Sequence, residues 1–324
     1  MEKINLGVIG LGFIGKVHLR NCLNLKSVRV LAAADASKRA LNYAKTFGVK
    51  QLFTDYHELL KLKDLDAVII SLPTHLHAES AINAMEEGKH VFLEKPLARN
   101  VEEGREIVSA AGKNGVIFMV GYPLRFVPEF VDLKSRVESG VLGDIQMAYG
   151  VNIAAGPFFH RAESTTPRPV PEWWLNKELI GGGALIDLGC HMINLLRWYL
   201  GEVSAVKARL GYRFNFDFED HATCIMDFEC GACTVVNVGW FSQSAAVGVE
   251  LHGTLAHARA YHSPSSKVVT AIMLILGKFF IPYLKEVSHF VDYIRNDNGE
   301  NRLSGEDALR DLEVIAKAYK NQVE

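Results

Sequence analysis

The feature that most constrains this chain is Gly10-Leu11-Gly12-Phe13-Ile14-Gly15, set between the apolar run Ile4 to Ile9 and a helical pattern through Val17, Leu19 and Leu23. Three glycines at this spacing are a weak signal alone. A strand before them and a helix after them supply the context that the G-x-G-x-x-G pattern requires. Gly10 allows a tight turn, Gly12 lets the backbone approach a pyrophosphate, and Gly15 permits close helix–strand packing. Phe13 and Ile14 fall where that helix begins, and a helix N-terminus offers free N–H groups and a positive dipole end to an anion. The second strand, Val28 to Ala34, ends at Asp35, where a carboxylate accepts hydrogen bonds from a ribose. An acid there repels a 2′-phosphate, so NAD is favoured. Lys38 and Arg39 follow closely and keep NADP open, although a solvated first turn of the next helix accounts for them as well.

The βα rhythm continues with a strand at Ala67 to Ile70, a helix from Ala78 to Glu87, a strand at His90 to Leu93, a helix from Val101 to Asn114 and a strand at Ile117 to Val120. Such alternation predicts a doubly wound parallel sheet. Two strand ends carry chemistry-bearing residues. The first is Ser71-Leu72-Pro73-Thr74, followed by His75 and His77. An H-x-H pair is a metal candidate but lacks further ligands nearby, so no metal site is assigned, and cofactor contact or loop polarity are the alternatives. The second is Val91-Phe92-Leu93-Glu94-Lys95-Pro96, an apolar run that stops at a carboxylate, an ammonium and a proline. Pro96 cannot donate to a ladder, and ligands of open α/β sheets bind at the carboxyl ends of strands. Lys95 is therefore a candidate for chemistry, with a surface salt bridge as the plain alternative.

Beyond Gly121 the pattern changes. Pro128 to Ser139 reads as a helix and Ile145 opens strand-like alternation. Ala154 to Glu172 holds four prolines together with His160, Arg161 and Arg168, a long loop of the kind that is often functional. Gly181-Gly182-Gly183 then leads into a helix from Ala184 to Leu200. Asp187 and His191, four apart, share a stripe on it, and an Asp can orient a His that acts as general base. An ordinary surface pair is the alternative, but three glycines cost stability and suggest close backbone approach. From Val203 the chain reads as β, with strands at Val203 to Leu210, His221 to Phe228, Ala232 to Trp240 and Val247 to His252. Cys230-Gly231-Ala232-Cys233 sits at a hairpin turn and reads as structural. The apolar segment 268–284 reads as a flap, an interface or a lipid-facing patch. A closing helix runs from an N-cap at Ser304 to about Tyr319.

With 324 residues, 49% of them hydrophobic, the chain is long enough for two domains. A formal net charge of −2 leaves no footprint for nucleic acid or an anionic membrane. Five scattered cysteines argue against a disulfide framework, and no apolar run is long enough to span a bilayer. The expectation is a cytoplasmic protein.

These motifs in order, Gly10-x-Gly12-x-x-Gly15-x-x-His18, Pro73-Thr74-x-x-His77, Glu94-Lys95-Pro96, the Gly-Gly-Gly block with Asp187 and His191, and Glu219-Asp220, resemble the Gfo/Idh/MocA family. The resemblance implies an α/β protein with an N-terminal Rossmann dinucleotide-binding domain, residues 1–121. A C-terminal α+β domain with an open, mainly antiparallel sheet, residues 122–324, would bind substrate and form a homodimer or homotetramer. It implies cofactor contacts from Gly10, Gly12, Phe13, Ile14, Gly15, Asp35, Ser71, Pro73, Thr74, His77, Glu94 and Lys95, and a cis Lys95–Pro96 bond. It also implies that His191 takes the proton of a substrate hydroxyl, that Lys95 stabilises the oxygen, and that Asp187 positions His191 or binds a neighbouring hydroxyl. The family's Trp-Arg ahead of the glycines is here Trp173-Trp174, which favours ring stacking by Trp174. Arg125 and His160 are further substrate candidates. The implied activity is NAD(P)-dependent hydride transfer to or from a secondary alcohol of a sugar, cyclitol or sugar nucleotide. A redox-neutral, NAD-dependent glycosidase and a non-catalytic dinucleotide sensor are the rivals.

Overall fold

A computed structural model describes residues 3–157, 171–214, 216–242, 244–262, 281–296 and 303–323. Contacts divide the chain into two units. One comprises Met1–Pro123 with the described part of Met273–Leu309, and the other Leu124–Ile272 with Arg310–Glu324.

In the first unit β1 (Ile4–Ile9), β2 (Val28–Ala34), β3 (Gln51–Phe53), β4 (Ala67–Ile70), β5 (His90–Glu94) and β6 (Phe118–Gly121) form a sheet in the order β3-β2-β1-β4-β5-β6. Every pairing is parallel. The helices are α1 (Phe13–Asn24), α2 (Lys38–Thr46), α3 (Tyr56–Leu60), α4 (His77–Glu86) and α5 (Val101–Asn114). Strands β4 and β5 are almost wholly buried, which is why they read as continuous apolar runs rather than alternations. Local chemistry ends the helices as expected. Asn100 caps α5 by accepting the N–H of Glu103, and Gly115 closes it in the left-handed region at φ 63°.

The second unit contains α6 (Pro128–Glu138), β7 (Ile145–Ile153), α7 (Lys177–Ile180), α8 (Cys190–Leu200), β8 (Val203–Gly211), β9 (His221–Phe228), β10 (Cys233–Gly239), β11 (Ala246–Gly253) and β12 (His257–His262). Its sheet runs β12-β11-β7-β10-β9-β8. It is antiparallel except for the β7–β10 pair, in agreement with the open, mainly antiparallel sheet expected. Helix α8 packs on one face, where a Cβ at Gly150 would press on Met192 and Leu196. Cys230 and Cys233 are exposed, free thiols around the β9–β10 hairpin.

Four features depart from the sequence expectation. Strands β3 and β12 lie at sheet edges and are too short or too exposed to announce themselves. Helix α9 (Ile281–Asn296), which a single cut after residue 121 leaves with the second domain, groups with the first unit. Its buried Phe290 meets Phe92 with ring centroids 5.7 Å apart. The stretch Leu185–Gly189 is a turn of π-helix ahead of α8, not α-helix. The closing helix α10 spans Gly305–Lys320. The stretch Lys177–Leu200 has the length and apolarity of a membrane-crossing helix, yet 72% of its apolar window is buried in the protein, as in a core helix. Residues 268–280 of the apolar segment lie outside the described residues.

Candidate active site

The glycine loop joins β1 to α1 at the point where the sheet order reverses between β1 and β4, the ligand crevice of such sheets. Gly10 has φ +85°, and a Cβ there would meet the carbonyl oxygen of Ser71 at 2.6 Å. A Cβ at Gly15 would overlap the carbonyl oxygen of Gly10, so helix and loop are in direct contact. Gly12 has nothing within 4 Å of its Cβ position, and α1 begins there without a side-chain cap. The first N–H groups of the helix therefore have no side-chain cap. Beside the loop, the buried Oγ of Ser71 has no hydrogen-bond partner among the described residues. Open space, uncapped amides and an orphan hydroxyl fit the pyrophosphate of a dinucleotide. Asp35, at the end of β2, accepts the N–H of Leu11 at 2.7 Å and that of Ser37 at 2.7 Å. The residue expected at the ribose thus also fixes the glycine loop.

On the same sheet, Glu94 is buried and uses both carboxyl oxygens. Oε1 meets Nε2 of His18 at 2.6 Å, and Oε2 accepts the N–H of Lys95 at 3.2 Å. The Lys95–Pro96 bond is cis. His77 is fully enclosed, its ring nitrogens 2.9 Å from the carbonyl oxygens of Leu72 and Pro96. It ties the loop after β4 to the turn after β5, and burial pulls its pKa below the ordinary value against the pull of the two carbonyls. Thr74 is buried beside it.

In the second unit the glycine triplet has a visible cause. Gly181 ends α7 at φ +86°. A Cβ at Gly182 would overlap the Tyr319 hydroxyl, and one at Gly183 the carbonyl oxygen of Glu219. The buried Glu219 carboxyl accepts the N–H groups of Gly183 and Leu185 and the hydroxyl of Tyr319, the last two at 2.9 and 2.8 Å. Burial pushes its pKa up, and these donors pull it back. Glu219 thus anchors the start of the segment that carries Asp187 and His191. π-turns are frequent at functional sites, and here Asp187 lies in the π-turn and His191 in the first turn of α8.

Asp187 accepts the indole N–H of Trp240 at 3.2 Å. Trp240 is buried at the end of β10, with Trp174 at 6.4 Å and Phe218 at 6.4 Å between ring centroids. Trp174 stacks on Trp173, so the expected stacking residue belongs to an aromatic cluster that leads to Asp187. Arg125 is 8% exposed and donates to the carbonyl oxygen of Asn194 while lying over the Trp198 ring. These contacts pack Arg125 against α8. His160 lies outside the described residues. Trp240 and Tyr319 went unnoticed in the sequence as site-forming residues, since an isolated aromatic at a strand end or in a closing helix looks like core.

Comparison with known proteins places these features in a class. Residues 4–122 match the oxidoreductase family with an NAD-binding Rossmann fold, and residues 130–259 match the GFO/IDH/MocA C-terminal domain. An uncharacterized oxidoreductase of Bacillus subtilis (strain 168), YrbE, is 31% identical over 99% of this chain and 94% of its own length. The NAD(+) scyllo-inositol 2-dehydrogenase of the same organism is 28% identical over 91% of this chain and 87% of its own. Among solved structures, scyllo-inositol dehydrogenase from Lactobacillus casei, with bound NAD(H) and scyllo-inositol, shares the fold with a TM-score of 0.81 at 22% identity, covering 99% of this chain and 97% of that one. The chain belongs to the GFO/IDH/MocA family of oxidoreductases. It is an NAD-dependent oxidoreductase.

Proposed function

We propose that this enzyme moves hydride between NAD and a secondary alcohol or ketone of a sugar, cyclitol or sugar nucleotide. The observation that carries the reading is the second unit's Asp187–His191 segment, held by Glu219 and flanked by the Trp174–Trp240 cluster. It joins a base, a carboxylate and a stacking surface of the kind that binds a polyol ring. Inositol, named for two of the similar proteins, is the first substrate to test. NAD, when bound, supplies the hydride acceptor for the carbon. The glycine loop, Ser71 and Asp35 hold it. His191 takes the hydroxyl proton as the C–H bond breaks, and Lys95 stabilises charge developing on the oxygen. Asp187 orients His191 or receives a neighbouring hydroxyl.

The register of the second sheet sets Tyr149, Val235 and Ile225 side by side on the face away from α8, with Tyr261 exposed farther along that face. This supports a homodimer or homotetramer, measurable by light scattering. The decisive assay follows reduced-nicotinamide absorbance with NAD, and separately NADP, against inositols, aldoses, sugar phosphates and nucleotide sugars. Turnover on one ring class is the expected result. Tight NAD binding with silence across the panel overturns the assignment, and free sugar released without NADH would replace it with a redox-neutral cleavage.

A further inference from the structure

Helix α9 carries Glu286 into the interior of the first unit. The side chain is 0% exposed, and neither carboxyl oxygen has a hydrogen-bond partner among the described residues. It sits with His18 of α1 and Glu94 at the end of β5. One polar atom from each of the three lies within 4.8 Å of the others. The surroundings are largely apolar and aromatic, with Phe92 and Tyr283 packing edge-on to the His18 ring at 5.4 and 5.9 Å. Two ionised carboxyls in such a place carry a large desolvation cost unless their charge is balanced.

A cation or a proton would balance it. The 2.6 Å separation of His18 Nε2 from Glu94 Oε1 decides between them. Two ligands of one zinc-sized ion, each about 2.0–2.1 Å from it, stand about 3.4 Å apart in tetrahedral geometry, and larger cations spread their ligands further. A gap of 2.6 Å is the length of a hydrogen bond to a charged group.

We infer that Glu286 keeps its carboxyl in the neutral form and, with His18 and Glu94, completes a buried polar cluster beneath the Lys95 backbone. Each oxygen of Glu94 then has a donor, the His18 ring on one side and the Lys95 N–H on the other. Burial first, and the Glu94 charge second, push the Glu286 carboxyl well above its usual range. The packed elements carry Lys16, His18, Arg20 and Cys22 on α1, His90 and Glu94 on β5, and Tyr283, Lys285, His289, Asp292, Tyr293 and Arg295 on α9 itself, of which His18 and Glu94 are grouped with Glu286, while β6 brings only Phe118, Met119, Val120 and Gly121. Glu286 is a buried neighbour of Glu94 and His18, with one polar atom of each within 4.8 Å of the others, and its protonation does not rest on the proposed role of Lys95.

The test compares the thermal stability of wild type with Glu286→Gln and Glu286→Leu across pH, together with the metal content of the purified proteins. The native protein holds a proton that the unfolded chain releases above about pH 4.3, so wild-type stability falls with rising pH relative to a variant lacking the group. The Tm of each variant minus that of wild type should therefore rise steadily from pH 4 to pH 8. Glu286→Leu makes the same comparison should the Gln variant fail to fold. A difference that stays flat or falls with pH overturns the inference. So does a stoichiometric divalent cation present in wild type and lost in Glu286→Gln. None of these readouts needs turnover, so their failure leaves the dehydrogenase reading standing, and a silent substrate panel leaves this test intact.

Discussion

Trp240 donates its indole N–H to Oδ2 of Asp187 across 3.2 Å, joining residues 53 positions apart. Trp240→Phe keeps an aromatic ring beside Trp174 and Phe218, at some loss of packing, but removes the donor. A hydrogen bond to a charged group contributes about 1.5–3 kcal/mol. If that contact holds Asp187 for catalysis, kcat should fall at least about tenfold. Steady-state kinetics beside a melting curve separates this from simple loss of packing, which would lower Tm and leave kcat of the folded fraction unchanged.

Lys95→Ala and His191→Ala should each lower turnover about a hundredfold or more, the scale of lost acid–base or charge stabilisation. NAD binding, followed by nicotinamide fluorescence, should survive in His191→Ala. Near wild-type rates in either variant would remove that residue from the chemistry.

Asp35→Ala removes the acceptor of two backbone N–H groups as well as the acid at the end of β2. The expected result is weaker NAD binding, a relative gain for NADP, and a stability loss of about 1.5–3 kcal/mol. Titration with both dinucleotides and a urea melt measure the three effects. An unchanged NAD to NADP ratio would show that Asp35 serves the loop alone.

Asp311 of α10 accepts Arg197 Nη1 at 2.6 Å and the Asn194 amide at 2.6 Å, all three side chains being buried. Asp311→Ala leaves a buried guanidinium short of a partner and should cost about 3–5 kcal/mol. The double variant Arg197→Met/Asp311→Ala should recover part of that loss in chemical denaturation. Equal losses in both would contradict the pair's coupling.

His77 supplies a pH test. Its folded pKa lies below its ordinary value of 6.5 because burial penalises the charged ring. The unfolded chain therefore binds more protons in the window just below pH 6.5, so stability rises with pH there and is lost as pH falls. Wild type should lose Tm between pH 7 and pH 5 more steeply than His77→Gln. Parallel curves would mean that the ring titrates alike in both states.

The glycine loop was legible because strand, turn and helix follow one another within a few residues, and each obeys a local steric rule. Asp35 and the Glu94-Lys95-Pro96 turn were legible for a related reason: a buried strand must end where a charge or a proline stops it. Glu219 could be named from its motif, but its task as anchor of Gly183 and Leu185 depends on a neighbour 36 residues away. That Arg125 would be buried over the Trp198 ring was not legible, because charge in a sequence says nothing about what it will be packed against.

The order of short-range signals determined that a doubly wound parallel sheet would come first and a β-rich region second, and that the first would present a dinucleotide loop. Periodicity and turn chemistry act over a few residues and survive in any surroundings. Tertiary structure alone decided that α9 packs on the first sheet, that the segment ahead of α8 takes a π-turn, and that Trp240 meets Asp187. It also decided that Glu286 faces Glu94. These outcomes depend on which apolar faces find one another across long separations, where the free energy lies in packing and desolvation rather than in any local preference of the chain.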